Sequence, residues 1–353
     1  MAQSSFPYFS YPFSVHANGM GQLGVSFTTP NNYYFNPANL GLLAFENKYY
    51  LSGYLKETDR VDILLREYHL SVPYKLNDQI KFGMAFSYAE TETSQYMSYA
   101  PVPQYNNQIT NNFFRVTASV GYHNHYYLAA GINFTVLQES IYGHDDNAFN
   151  FDLGLRGGYP HSFILNENYS VELFPSIGMA VSKIGTELEF KANADVFDDQ
   201  TYKVTIPQEM RIGISNRLTL RNNSLAGGFD LFSLLTAYEL EDLSNHSTTK
   251  AKYGVEGTLF ETVSARTGKN RNYEYDEWGL SAHLSGLKKL LFGRLLSDDS
   301  ILGRVDATFN YAKQTVSVQH IKTEGTDYIV TDGPYYYTYE DVDYFELIIS
   351  ISL

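Results

Sequence analysis

Two histidines in "YHNHY" (122–126) form the most chemical-looking short motif in this chain. His123 and His125 fall on one face of an extended strand, a spacing that can hold a transition metal. The motif sits at an expected tight turn among tyrosines, which favours interfacial polar residues over a metal site. The acid clusters "GHDD" (143–146) and "DVFDD" (195–199) could touch a hard cation through carboxylates, yet acidic loop tips explain them equally well. There is no phosphate-binding glycine loop with its lysine and no G-x-S-x-G elbow. Among 39 acidic residues and 9 histidines, Asp/His and Ser/His pairs arise freely and carry no weight. The expectation is a protein that is not an enzyme and holds neither metal nor cofactor.

Eight other charges are better placed to matter: Asp152, Arg156, Glu172, Glu209, Arg211, Arg217, Glu256 and Arg266. Each lies in a stretch whose alternate residues are apolar. Charges held in a confined interior either pair or face water. Pairing that stiffens the protein and selectivity for something entering it both stay open at this point.

The elements that position these charges follow from a two-residue rhythm. In "YYLAAGINFTV" (126–136), Tyr126, Leu128, Ala130, Ile132, Phe134 and Val136 share one face of a strand, opposite Tyr127, Ala129, Gly131, Asn133 and Thr135. "QEMRIGISNRLTL" (208–220) repeats this with Met210, Ile212, Ile214 and Leu218. "FNFDLGLRGGY" (149–159), "VELFPSIGMAV" (171–181), "IKFGMAFSY" (80–88) and "VDATFNY" (305–311) do the same. Such segments run about 10–14 residues, longer than the ~5–6 of a globular strand and suited to a tilted bilayer crossing. The apolar face then turns to lipid and the polar face to a lumen. The pattern predicts a single antiparallel transmembrane β-barrel of about 14 strands, all-β in class. Tight turns (122–126, 259–264) should alternate with long loops (91–111, 183–205, 318–341). Tyr49, Tyr50, Tyr54, Tyr122, Tyr126 and Tyr127 are expected in interfacial girdles.

Composition agrees. Aromatic residues make up 16% of the 353, and no run reaches the ~18 apolar residues of a spanning helix. "LKKLLFGRLL" (287–296) is too short and too charged. The absence of cysteine removes disulfides and thiolate sites, and a net charge of −14 speaks against a nucleic-acid surface. "MAQSSFPYF" shows no leader, so a barrel of this kind implies that one has been removed and that the protein resides in the outer membrane. The last segment, "YFELIISISL", alternates Phe345, Leu347, Ile349, Ile351 and Leu353 outward with Glu346, Ser350 and Ser352 inward.

The opening stretch breaks the rhythm. Pro37 in "YYFNPANLGLLA" (33–44) biases Asn36 away from helical angles, and Asn36 can cap a short helix that begins at Pro37. Residues 16–45, with Gly19, Met20 and Gly21 and then Asn36, Pro37 and Ala38, resemble the N-terminal segment of the PorV/PorQ family, relatives of the FadL barrels. The Phe-Asp-Leu-Gly-Leu run at 151–155, "IPQEMRIGIS" (206–215) and "YGVEGTLFETVSARTGK" (253–269) are similar to its later strands. The resemblance implies that residues 1–46 form an N-terminal segment with a lumenal plug and 47–353 the barrel. It implies a component of type IX protein secretion, with secreted cargo, the translocon or the surface attachment complex as partners. A FadL-like importer of hydrophobic small molecules is the alternative.

Overall fold

The computed structural model describes residues 14–58, 63–95, 107–141, 144–186, 188–191, 201–204, 208–225, 228–243, 249–270, 276–292, 301–321 and 335–352. Strands β1 (Lys48–Thr58), β2 (Ile63–Lys75), β3 (Ile80–Gln95), β4 (Asn107–His123), β5 (Tyr127–Ile141) and β6 (His144–Gly158) follow one another as neighbours. Below Gly158 the short β7 (His161–Ile164) takes over the same side of β8 (Tyr169–Gly185). A separate hairpin of β9 (Leu188–Lys191) and β10 (Thr201–Val204) precedes β11 (Glu209–Asn222), which pairs with β8. The circuit continues through β12 (Phe229–Leu243), β13 (Lys250–Leu259), β14 (Val263–Asn270), β15 (Asp276–His283), β16 (Val305–Ile321) and β17 (Tyr335–Ser352). β17 then pairs with β1. Leaving β7 out of the fifteen-stranded sheet gives a closed antiparallel barrel of fourteen strands.

Period-two alternation decides which way each side chain points. Ile132 and Phe134 are exposed outside while Asn133 and Thr135 are buried within; Ile212 and Ile214 are exposed while Arg211 and Ser215 are buried. Leu153 and Leu155 against Asp152 and Arg156 repeat the arrangement, as do Leu347 and Ile351 against Glu346 and Ser350. An apolar exterior of this extent is untenable in water and is satisfied by hydrocarbon, while closure pairs the backbone without leaving a sheet edge. The protein is an outer-membrane β-barrel. Among the described residues no helix is long and apolar enough to cross a membrane.

The tight connections 76–79, 124–126 and 260–262 gather at one end of the barrel. At the other end the strands extend further than the sequence predicts. β3 reaches Gln95, β4 begins at Asn107, β16 reaches Ile321 and β17 begins at Tyr335, so much of the expected loops 91–111 and 318–341 is strand. The expected loop 183–205 holds the β9–β10 hairpin, and 195–199 lie outside the described residues. The reason is visible in "ETETSQ" (90–95): successive polar residues erase the alternation while the backbone ladder continues.

The girdle assignment needs correcting at β1. Leu51 faces outward, so Tyr50 and Tyr54 necessarily point inward, where both are buried. Neighbouring tyrosines cannot share a face of one strand. Tyr126 does stand exposed beside the 124–126 turn.

Candidate functional site in the barrel lumen

Residues 14–46 lie inside the cylinder. They comprise helix α1 (Val15–Gly19), helix α2 (Ala38–Leu43) and single helical turns at Asn32–Tyr34 and Ala44–Glu46. Ser14 Oγ accepts from the Ala17 N–H at 3.3 Å, and Asn36 Oδ1 accepts from the Ala38 N–H at 3.0 Å, so each helix has a side-chain cap. Helices of five and six residues have almost no stability of their own. Packing holds them: α1 lies against β14, β15, β16 and β17, and α2 against β3, β4 and β5.

Missing side chains on the wall allow this proximity. A Cβ on Gly121 would fall under 3.0 Å from Gly41, one on Gly131 from Pro37, one on Gly154 from Asn36, one on Gly178 from Val25 and one on Gly268 from Met20. Gly19 meets Arg266 and Gly279, and Gly21 adopts φ +80°, a backbone region that suits glycine. Gly19, Met20 and Gly21 therefore sit on β13–β15, and Asn36, Pro37 and Ala38 sit on β5 and β6.

One side of the segment is fixed by polar contacts. Asn36 Nδ2 donates to Val25 O at 2.9 Å and to Leu155 O at 3.0 Å. Asn39 Nδ2 donates to Gly24 O at 2.8 Å, and Arg156 Nη1 donates to Asn39 Oδ1 at 2.8 Å and to Thr28 Oγ1. Glu239 Oε2 accepts from the Gly24 and Val25 N–H groups at 3.1 and 3.2 Å. Its Oε1 meets Arg211 Nη1 at 3.1 Å. Arg211 also bonds Glu209 and reaches Glu241 at 2.7 Å, with Lys183 at 3.0 Å from Glu209 and Lys252 on Glu241. The Arg211 guanidinium stands 4.9 Å from the centre of the Phe35 ring. Further round, Arg266 Nη1 lies 3.0 Å from Glu256, and Glu256 lies 2.7 Å from His16 Nε2. Burial holds the His16 imidazole below its ordinary range against the opposing pull of Glu256.

The other side is apolar and aromatic. Tyr33, Tyr34, Phe35, Leu40 and Leu43 pack with Tyr50, Tyr54, Ala85, Phe113, Tyr344 and Ile348 of the wall. The Tyr33 and Tyr34 rings stack at 5.0 Å, Tyr34 and Phe113 at 6.3 Å, and Arg115 covers Tyr34 at 4.4 Å. Tyr34 donates to Glu67, and the Tyr33 hydroxyl lies 3.0 Å from both Ser87 Oγ and His69 Nδ1. Burial pushes both phenols up, so they stay protonated as donors.

Six of the eight sequence-selected charges thus make ion pairs or hydrogen bonds in the lumen: Asp152, Arg156, Glu209, Arg211, Glu256 and Arg266. Asp152 accepts from Asn133 Nδ2 at 2.9 Å and from the Lys183 N–H at 2.7 Å, with Arg115 at 3.8 Å. Glu172 and Arg217 instead line a polar cavity of about 470 Å³ toward the tight-turn end, with His16, Asp306 and Glu346. Glu239, Glu241 and Lys252 were missed. Their signal is the same alternation, against Tyr238 and Leu240 in "AYELED" and against Tyr253 in "KAKYG". His123 stacks on Tyr127 with ring centres 4.0 Å apart, while His125 is exposed in the turn. Among the described residues no group of three or more His, Asp and Glu is placed to hold a metal.

No known protein-family model matches the chain, and no curated protein matches it. Solved structures do. The toluene transporter TbuX of Ralstonia pickettii aligns at 10% identity with a TM-score of 0.49, over 97% of this chain and 98% of that one. The toluene transporter TodX of Pseudomonas putida aligns at 10% identity with a TM-score of 0.46, over 95% and 96%. A FadL homologue of Pseudomonas aeruginosa aligns at 10% identity with a TM-score of 0.40, over 96% and 98%. At these values it is the barrel's own geometry that speaks to function.

Proposed function

We propose that the protein is a gated outer-membrane transporter for small apolar molecules, with residues 14–46 as the plug that closes its lumen. The observation that carries this reading is the asymmetric seating of the segment. Polar bonds hinge it to β6, β8, β11 and β12, whereas the opposite seam is mainly a cluster of aromatic and aliphatic side chains, crossed by the bonds of Tyr34 to Glu67, Tyr33 to Ser87 and Asn31 to Ser52. A shift about the polar side opens an apolar path, which suits a hydrophobic solute and rejects ions. Ser176 and Ser215 hold Ser26 O from inside, and an apolar groove of about 780 Å³ lies at the same place, bordered by Leu128, Ile177, Ile214 and Tyr238. TbuX and TodX, whose barrels are similar in shape, are toluene transporters.

A second reading is a type IX secretion component that binds cargo, the translocon or the attachment complex. The dense bonding of the plug favours it, since a scaffold gains from a sealed, rigid lumen. Uptake of radiolabelled toluene and of a long-chain fatty acid separates the two, in cells lacking their own hydrophobic-molecule channels. Uptake above the empty-vector control that rises further when Gly154→Ala loosens the segment supports transport. Unchanged uptake, with secretion partners co-purifying from the native membrane, supports the second reading.

A further inference from the structure

The stretch "LSGLKKLLF" forms helix α3 (Leu284–Phe292), which follows β15 directly at the tight-turn end of the barrel. Three of its sides are accounted for. Gly286 packs on the backbone of Phe260 and Glu261, so closely that a Cβ there would overlap them. Lys289 Nζ lies 2.6 Å from Glu261, on the same turn. Lys288 Nζ donates to Val305 O at 2.6 Å, at the start of β16. Ser285 lines the polar cavity of the lumen. At 3.6 residues per turn, Leu284, Leu287, Leu290 and Leu291 occupy the remaining arc, turned away from Ser285 and Lys289. All four are exposed, Leu291 to 66%.

That arc continues a surface already assigned to lipid. Leu280 of β15 faces outward, four residues before Leu284, and Leu259, Phe260 and Val263 of the adjoining hairpin are exposed too. The fold carries the barrel's apolar belt onto the helix without a polar break. We infer that α3 is an interfacial helix, lying on the membrane leaflet at the tight-turn end with its leucines in the acyl boundary. In barrels of this construction that is the periplasmic leaflet. The two lysines bond to carbonyls and a carboxylate of the rim, which fixes the roll angle of the helix.

The chain has no cysteine, so single-cysteine labelling of the full-length protein tests this directly. Leu287→Cys, Leu291→Cys and Ser285→Cys are labelled with bimane and reconstituted into phosphatidylcholine–phosphatidylglycerol vesicles. Ile212→Cys serves as the lipid-facing control and His125→Cys as the aqueous one, and each variant must keep heat-modifiable migration. Acyl-brominated lipid should quench Leu287 and Leu291 severalfold more than Ser285, at a level near Ile212, while aqueous iodide quenches them severalfold less than His125. Iodide quenching equal to that of His125 would overturn the inference. So would quenching by neither agent, which would mean that a second copy or another protein covers the face. If a single-cysteine variant fails to fold, Leu290→Cys reads the same arc.

Discussion

Asn36 Nδ2 donates to the Leu155 carbonyl at 3.0 Å, tying the N-terminal segment to strand β6 of the wall. The same amide holds Val25 O and, through Oδ1, caps α2 at Ala38. Facing it, Gly154 leaves room for this amide and for the Pro37 ring. Asn36→Ala should therefore leave a buried Ala38 N–H without its acceptor, at a cost of about 1–3 kcal/mol. Gly154→Ala should reach a similar end by pushing Asn36 aside. Both variants should keep a heat-modifiable barrel and cleave faster within residues 14–46 under limited proteolysis. Wild-type cleavage rates in both would separate the plug's seating from this amide.

Deleting the N-terminal segment tests the lumen as a whole. Strand pairing from Lys48 onward does not use residues 16–45. A fourteen-stranded barrel is wide enough for an aqueous path unless filled. In planar bilayers the intact protein should conduct poorly and the deletion of 16–45 well. Large steady conductance from the intact chain would mark an open pore.

Arg211 is the shared cation of Glu209, Glu239 and Glu241. Arg211→Met leaves three buried carboxylates with Lys183, Lys252 and the more distant Lys250 to offset them. Breaking a buried network from one side costs about 3–5 kcal/mol, weakly screened by salt. The temperature at which migration shifts on unheated gels should fall accordingly, and 0.5–1 M salt should restore little of it.

The lipid face is read by depth and direction. Ile212→Arg should cost about 2–4 kcal/mol at the bilayer midplane, measured by denaturant refolding into vesicles. Thr219→Arg should cost less, because Thr219 lines the polar cavity together with Glu172. Equal penalties would contradict the in/out register of β11.

Much of this molecule is written in a two-residue rhythm. Because side chains alternate across a strand, Ile132 and Asn133, or Ile212 and Arg211, declare opposite faces without any knowledge of their neighbours. That local rule is enough for a membrane barrel and for its approximate strand number. It fails where the rhythm fades although the ladder continues, as in "ETETSQ", and where adjacent tyrosines compete for one interface, as at Tyr49 and Tyr50. Pairing is the part that only tertiary structure decided. Glu239 meets Gly24 and Val25 across more than two hundred residues, Arg156 finds neutral oxygens of Thr28 and Asn39, and Arg217 is left lining the cavity. The sequence states that each of these charges turns inward. Which partner it takes depends on strand register and on where a short N-terminal segment comes to rest, and no local pattern encodes either.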